Sequence, residues 1–239
     1  MKKATLFSVF TIVFLMPATL YLGTRLTGQG YYLTATLLII EAMLPFFFTF
    51  EGRRPQAREL VILAVMAALA AISRSAFAFL PHFKPITALV MITGIAFGAQ
   101  AGFLTGALSA FASNFLFGQG FWTPWQMMAY GFGGFLAGLL FHKRHALSQK
   151  PLLFSSILAV FSFFTIILFV GPLLDCSSLF IFSSKLTWEY VVSVFSVGFP
   201  INLIHAISSA VTMLLFSGPM LAKLTRLQTK YGMLENLRE

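Results

Sequence analysis

The chain has 239 residues, of which 58% are hydrophobic, 16% aromatic and 10% charged, with a formal net charge of +9. Soluble domains carry about 25% charged residues, and a mean hydropathy of +0.87 excludes an ordinary soluble enzyme, a disordered regulator and a secreted disulfide scaffold. The single Cys176 excludes an internal bridge or a thiolate metal cluster, and the basic residues form short clusters between apolar runs, as membrane loops do, rather than one nucleic-acid-binding patch.

At about 20 residues per span, the sequence reads as an all-α integral membrane protein. Lys2 and Lys3 precede an apolar run over 4–22, a pattern like a signal peptide; without a small-residue cleavage site it reads as a retained first helix. A second span over 31–50 contains Glu41, and the charged stretch 51–58 follows it. That shift in composition divides the chain into an N-terminal helix pair, 1–51, and a core, 52–239. A third, Ala-rich span over 59–80 holds Arg74 near its far end and breaks at Pro81-His82-Phe83-Lys84-Pro85.

Residues 86–141 contain no Asp, Glu, Lys, Arg or His. As one helix they would run roughly 84 Å, against a hydrocarbon core of about 30 Å. The stretch must fold back twice, at Gly98–Gly102 and at Gly118-Gln119-Gly120 with Pro124. Spans are expected near 86–98, 102–117 and 124–141. A basic loop at 142–150, a span at 152–172, a polar connection at 173–188, a last span at 189–216 and a basic tail complete eight spans. With eight, 12 of the 16 basic residues fall on the side of the termini, which places both termini in the cytoplasm.

Ala64, Ala67, Ala68 and Ala71 form overlapping small-xxx-small steps, a face on which another helix can approach closely. Internal packing and docking of a separate subunit both remain open for it. Gly94, Gly98, Gly102 and Gly106, with Gly134 and Gly138, predict close-packing faces. Polar residues inside a membrane are costly and are functional candidates: here Glu41, Arg74, Asn114, Gln126, Asn202 and His205. Arg74, Asn114 and Gln126 map toward the extracellular half, as do the loops at 81–85, 118–125 and 173–188 with Phe83, Lys84, Phe117, Gln119, Phe121, Trp122, Trp125, Tyr130 and Trp188. An interfacial aromatic belt and a snorkelling Arg74 would explain single members. Their convergence from three loops predicts a cavity for a bulky organic ligand.

Machinery for catalysis is missing. There is no His-Glu-x-x-His, no Gly-x-Ser-x-Gly and no phosphate-binding loop, so the chain is expected not to be an enzyme and not to hydrolyse ATP. His142 and His145 lack a carboxylate partner for a metal, and no metal or bound cofactor is expected. A membrane enzyme would need an acid or His cluster near one interface. A proton-driven secondary transporter working through Glu41 would need an internal hydropathy repeat.

Several blocks together resemble the substrate-binding S components of energy-coupling factor (ECF) vitamin transporters: Arg58-Glu59-Leu60 leading into the Ala-rich helix, Lys84-Pro85, the run from Thr93 to Phe103 around Gly98, Gly106-Ala107-Leu108-Ser109, Ser113 to Gly120, and Trp122-Thr123-Pro124-Trp125-Gln126-Met127. The resemblance covers roughly 57–216 and implies a six-helix core with two added helices before it. It implies a protein of the bacterial cell membrane that takes a vitamin from outside under loops at 77–86, 114–124 and 172–189. Arg74, Phe83, Lys84, Asn114, Gln119, Trp122, Trp125, Gln126, Tyr130 and Trp188 are the candidate binding residues. It further implies that the Ala-rich helix docks a transmembrane coupling subunit, while two ATPase subunits use ATP. The block from Asn114 to Gln126 looks like the cobalamin-uptake branch; pantothenate or folate are the alternative substrates.

Overall fold

The computed structural model describes residues 6, 7, 10–23, 30–52, 56–145, 151–182 and 187–231. Among these the regular structure is all helix, joined by short turns and loops, as the composition requires. In a bilayer every backbone N–H and C=O must be paired within the protein, and helices do this segment by segment. The elements are α1 (Met16–Gly23), α2 (Gly30–Gly52), α3 (Ala57–Ala76), α4 (Ile86–Phe97), α5 (Ala99–Phe117), α6 (Thr123–His145), α7 (Pro151–Thr165), α8 (Gly171–Phe182) and α9 (Trp188–Lys230). Two π turns, Thr11–Leu15 and Ile166–Val170, run directly into α1 and α8. Each lies just before a proline, Pro17 or Pro172, whose missing N–H removes an α-helical bond. Joined in this way, the described residues form eight rods.

Among the described residues, four stretches are long and apolar enough to cross a membrane: Leu33–Gly52, Ala57–Ala76, Leu152–Phe180 and Trp188–Lys230. Two expected boundaries are corrected. The segment expected as a polar connection from 173 continues as helix to Phe182, because 173–182 is mostly apolar and contains no breaker after Pro172. The last helix runs not to 216 but to Lys230 through Pro200 and Pro219. At about 65 Å it is twice the hydrocarbon thickness. Beyond Pro219 its Leu221, Leu224 and Gln228 stay buried while Lys223, Arg226 and Lys230 face outward, so the amphipathic pattern carries the helix on. The turn expected across 98–102 closes at one residue: Gly98 has φ +95° and α5 starts immediately after it.

The short α4 is the axis of the core. Eleven of its residues are buried, and α3, α5, α6 and α9 surround it. At 12 residues it is about 18 Å long, shorter than the helices that surround it. At its other end, the carbonyls of Ile95 and Ala96 are taken up by His142 Nδ1 (2.9 Å) and Gln228 Nε2 (2.8 Å). These contacts gather the end of α4, the end of α6 and the end of α9 at one end of the bundle, together with Arg58 and Tyr231 (3.3 Å). Arg74, Lys84, Asn114 and Thr123 lie at the opposite end.

The Gly pattern produces the tightest crossing. A Cβ on Gly94 or on Gly102 would strike the Gly134 carbonyl, and one on Gly134 would lie 2.5 Å from the Gly102 carbonyl oxygen. Thus α4, α5 and α6 meet backbone to backbone. The N-terminal pair packs outside this core: Phe46 of α2 stacks on Phe103 at 4.0 Å and stands edge-on to Phe135 at 5.0 Å. Glu41 is buried and accepts a hydrogen bond from Thr19 Oγ1 at 2.5 Å.

Candidate functional site

The site is built on the end of α3, the end of α5 and the start of α6. Arg74 lies in the last turn of α3 and is buried. Its guanidinium donates to Ser113 Oγ at 2.8 Å and to Asn114 Oδ1 at 2.9 Å. The ring of Phe117 lies 4.4 Å from the guanidinium carbon, close enough for cation–π attraction. Asn114 donates onward through Nδ2 to Gln126 Oε1 at 2.8 Å and Thr123 Oγ1 at 3.1 Å. The Thr123 hydroxyl donates to Gln119 Oε1 at 2.9 Å and accepts from the Gly120 N–H at 3.2 Å. Gln119 Nε2 closes the chain on the Phe111 carbonyl at 2.9 Å.

This network explains the residue types. Asn114 must both accept and donate, which an amide does and a carboxylate does not. Each partner of Arg74 in the network is neutral, so its charge remains uncompensated there. Lys84 adds a second cation. It is half-buried in the loop before α4. Burial first, and then the Arg74 charge, push its pKa down to about 8. His82 in the same loop adopts φ +61°, an uncommon conformation for a residue with a side chain. Its pKa is also lowered, by burial first and then by Lys84.

Among the described residues, Trp125 Nε1 and Tyr130 Oη are buried donors without a hydrogen-bond partner, as are the hydroxyls of Thr36, Thr105, Ser208 and Ser209. Buried indole and phenol groups normally find one. Trp125 stacks on Phe180 at 5.5 Å, which ties α6 to α8. Tyr130 is fully buried and stands edge-on to His205 at 6.0 Å. His205 in turn shares a 2.8 Å hydrogen bond with Thr87 Oγ1. Deeper between α8 and α9, Asn202 Nδ2 donates to Asp175 Oδ2 at 2.7 Å. Gly198 makes room for that carboxylate and Gly171 for the Asn202 amide.

Among the residues expected from the sequence, Arg74, Asn114, Gln119 and Gln126 therefore join in one network. Trp125 and Tyr130 are buried on the same helix, α6. Phe83 leans on Phe77 at 5.2 Å in the loop before α4, and the Trp122 ring folds back over Gly120. Trp188 is set apart: it is 76% exposed and shares a shallow surface with Val192 and Phe199 on the outer side of α9. Sequence reasoning missed Ser113, Thr123, Thr87 and Asp175. Hydroxyls are common in membrane helices, and only proximity marks the three as partners; Asp175 falls in the stretch expected as a polar connection, where a carboxylate does not stand out.

The Ala-rich face divides. Ala67 and Ala71 are buried against the core, whereas Ala64 and Ala68 are exposed beside Val61, Val65 and Leu69. An i, i+4 pair looks outward and the other pair looks in. Glu41 bonds Thr19, and the partners of Arg74 are Ser113 and Asn114. His142 caps α4; the side chain of His145 lies outside the described residues. No group of three or more His, Cys, Asp and Glu that could hold a metal occurs among the described residues.

No curated protein and no solved structure gives a significant match to the chain. A family model described as the S component of an ECF-type riboflavin transporter matches residues 55–223, more than two thirds of the chain. The match begins in the linker between α2 and α3 and runs through α3 to α8 and into α9 as far as residue 223, including the three helices that build the network, and leaves the N-terminal pair outside. The chain therefore belongs to the ECF-type riboflavin transporter S component family.

Proposed function

We propose that this S component captures a vitamin from the outer side of the membrane at the Arg74–Asn114–Gln126 end of the bundle, and that the vitamin is cobalamin. The observation that carries the reading is the juxtaposition of a buried amide and guanidinium network with two unpartnered donors, Trp125 Nε1 and Tyr130 Oη. Corrinoids present a broad ring edged with amides. Amide side chains meet these as both donors and acceptors, and the Trp125 and Phe83 rings offer flat apolar area. The exposed pair Ala64 and Ala68 serves as the docking face for the transmembrane coupling subunit, and two partner ATPases supply the energy by using ATP. The end bearing Arg58, Lys223, Arg226 and Lys230 faces the cytoplasm, in keeping with the bias of basic residues.

The family description favours a second reading, riboflavin, whose planar ring system also presents carbonyl and imide groups. Calorimetric titration of the purified chain with cobalamin and with riboflavin separates the two. Cobalamin is expected to bind, and Trp125→Ala or Gln126→Ala is expected to weaken it by about 1–3 kcal/mol each, the range for lost buried aromatic or polar contacts. Binding of riboflavin without cobalamin transfers the site to the second reading. Folded protein that binds neither ends both assignments.

A further inference from the structure

A groove of about 600 Å³ runs between α3 and α9 on the outside of the bundle, away from the vitamin site. Its walls are apolar: Val61, Val65 and Leu69 on α3, and Met220, Leu224 and Leu227 on α9. Val61, Val65 and Leu69 are 63%, 53% and 45% exposed, so the core leaves this face uncovered. The charged residues of its lining are Arg58 and Lys223, both cations. Arg58 sits in the first turn of α3, where its Nη1 donates to the Tyr231 carbonyl at 3.3 Å and its guanidinium lies 5.9 Å from the Tyr231 ring. The guanidinium is held at the mouth with further N–H groups free of that bond.

The length matches one acyl chain of a lipid. From Arg58 to Leu69 the helix rises about 17 Å, close to the roughly 15 Å of one leaflet of the hydrocarbon core. The groove thus starts at the charged end of the bundle and stops near the bilayer midplane. We propose that it holds one anionic phospholipid, with the phosphate between Arg58 and Lys223 and an acyl chain along Val61, Val65 and Leu69. Basic pockets between membrane helices on the cytoplasmic side take anionic headgroups in this way. A zwitterionic lipid fills the apolar slot equally well but brings its own cation to a mouth that already holds two. This places a specific lipid beside the exposed Ala64 and Ala68, on the helix face where a coupling subunit would dock.

The test is native mass spectrometry of the full chain, extracted from vesicles of equal parts phosphatidylglycerol and phosphatidylcholine. The wild type is expected to retain one phosphatidylglycerol at least tenfold over phosphatidylcholine. The double variant Arg58→Gln, Lys223→Gln is expected to lose that preference. Val65→Trp, which keeps both charges and fills the slot, is expected to lose the bound lipid altogether. It decides the matter even where the double variant fails to fold. Equal retention of the two lipids by the wild type, or unchanged retention in folded Val65→Trp, overturns the proposal. So does a Val65→Trp protein that keeps its lipid yet no longer co-purifies with the coupling subunit, since the groove then belongs to the protein partner.

Discussion

Lys84 shows how position changes a side chain's chemistry. A lysine in an exposed loop would stay charged far above neutral pH. This one sits at the head of the short α4, where burial and Arg74 hold its pKa near 8. It is charged below that pH and neutral above it. In the proposed site the Lys84 ammonium would donate to the ligand, and that donor is lost as pH rises through about 8. Hydrogen bonds to charged groups contribute about 1.5–3 kcal/mol, so affinity for the bound vitamin is expected to fall tenfold or more between pH 6.5 and 9.5. Lys84→Met should bind weakly and show a flat profile. A flat profile for the wild type in the same titration series would remove Lys84 from the site.

At the scale of elements, the Gly94–Gly102–Gly134 crossing sets how closely α4, α5 and α6 approach. Two neighbouring glycines on α6 separate packing from propensity. A Cβ at Gly134 meets the backbone of Gly102 at 2.5–2.7 Å, whereas one at Gly133 meets only the side-chain ends of Val170, Met91 and Thr87 at 3.3–3.4 Å. Backbone cannot move aside locally, and overpacking costs about 1–3 kcal/mol. Alanine in a helix otherwise gains up to about 1 kcal/mol over glycine. Gly134→Ala is expected to lower the denaturation midpoint of the purified chain clearly, and Gly133→Ala to leave it nearly unchanged. Equal shifts for the two variants would mean the helices are not in backbone contact. The spacing of these glycines was legible in the sequence as close packing. The partner of each was not, because the single-residue turn at Gly98 sets the register between α4 and α5.

For the whole molecule, the helix ends sort into two groups. Arg58, His142, Gln228 and the basic face of α9 share one end; Arg74, Lys84, Asn114 and Gln119 share the other. Sidedness can be read with single cysteines in a Cys176→Ser background. Gln119 and Arg226 are both exposed, at opposite ends. In intact cells a membrane-impermeant maleimide is expected to label Gln119→Cys and to leave Arg226→Cys unlabelled until the membrane is opened. The reverse pattern would invert the proposed orientation and place the Arg74 network inside the cell.

Sequence alone determined the membrane class, the eight rods and the breaks at Gly98 and Gly118–Gly120. These depend on local properties: apolar length, the need to pair backbone groups within each segment, and residues that permit a tight turn. Arg74, Asn114 and Gln126 were also legible, since polar groups stand out in an apolar run. Only the tertiary structure decided which side chains face one another. It joined Arg74 to Ser113 and Asn114 to Thr123, set Trp188 apart, and turned Ala67 and Ala71 inward while leaving Ala64 and Ala68 outside. It also carried α9 past Pro219 to Lys230, because Leu221, Leu224 and Gln228 find a surface to cover near α3 and the end of α4. Helical periodicity gives the angle between residues on one helix, but the direction of the core is fixed by the neighbours that pack against it.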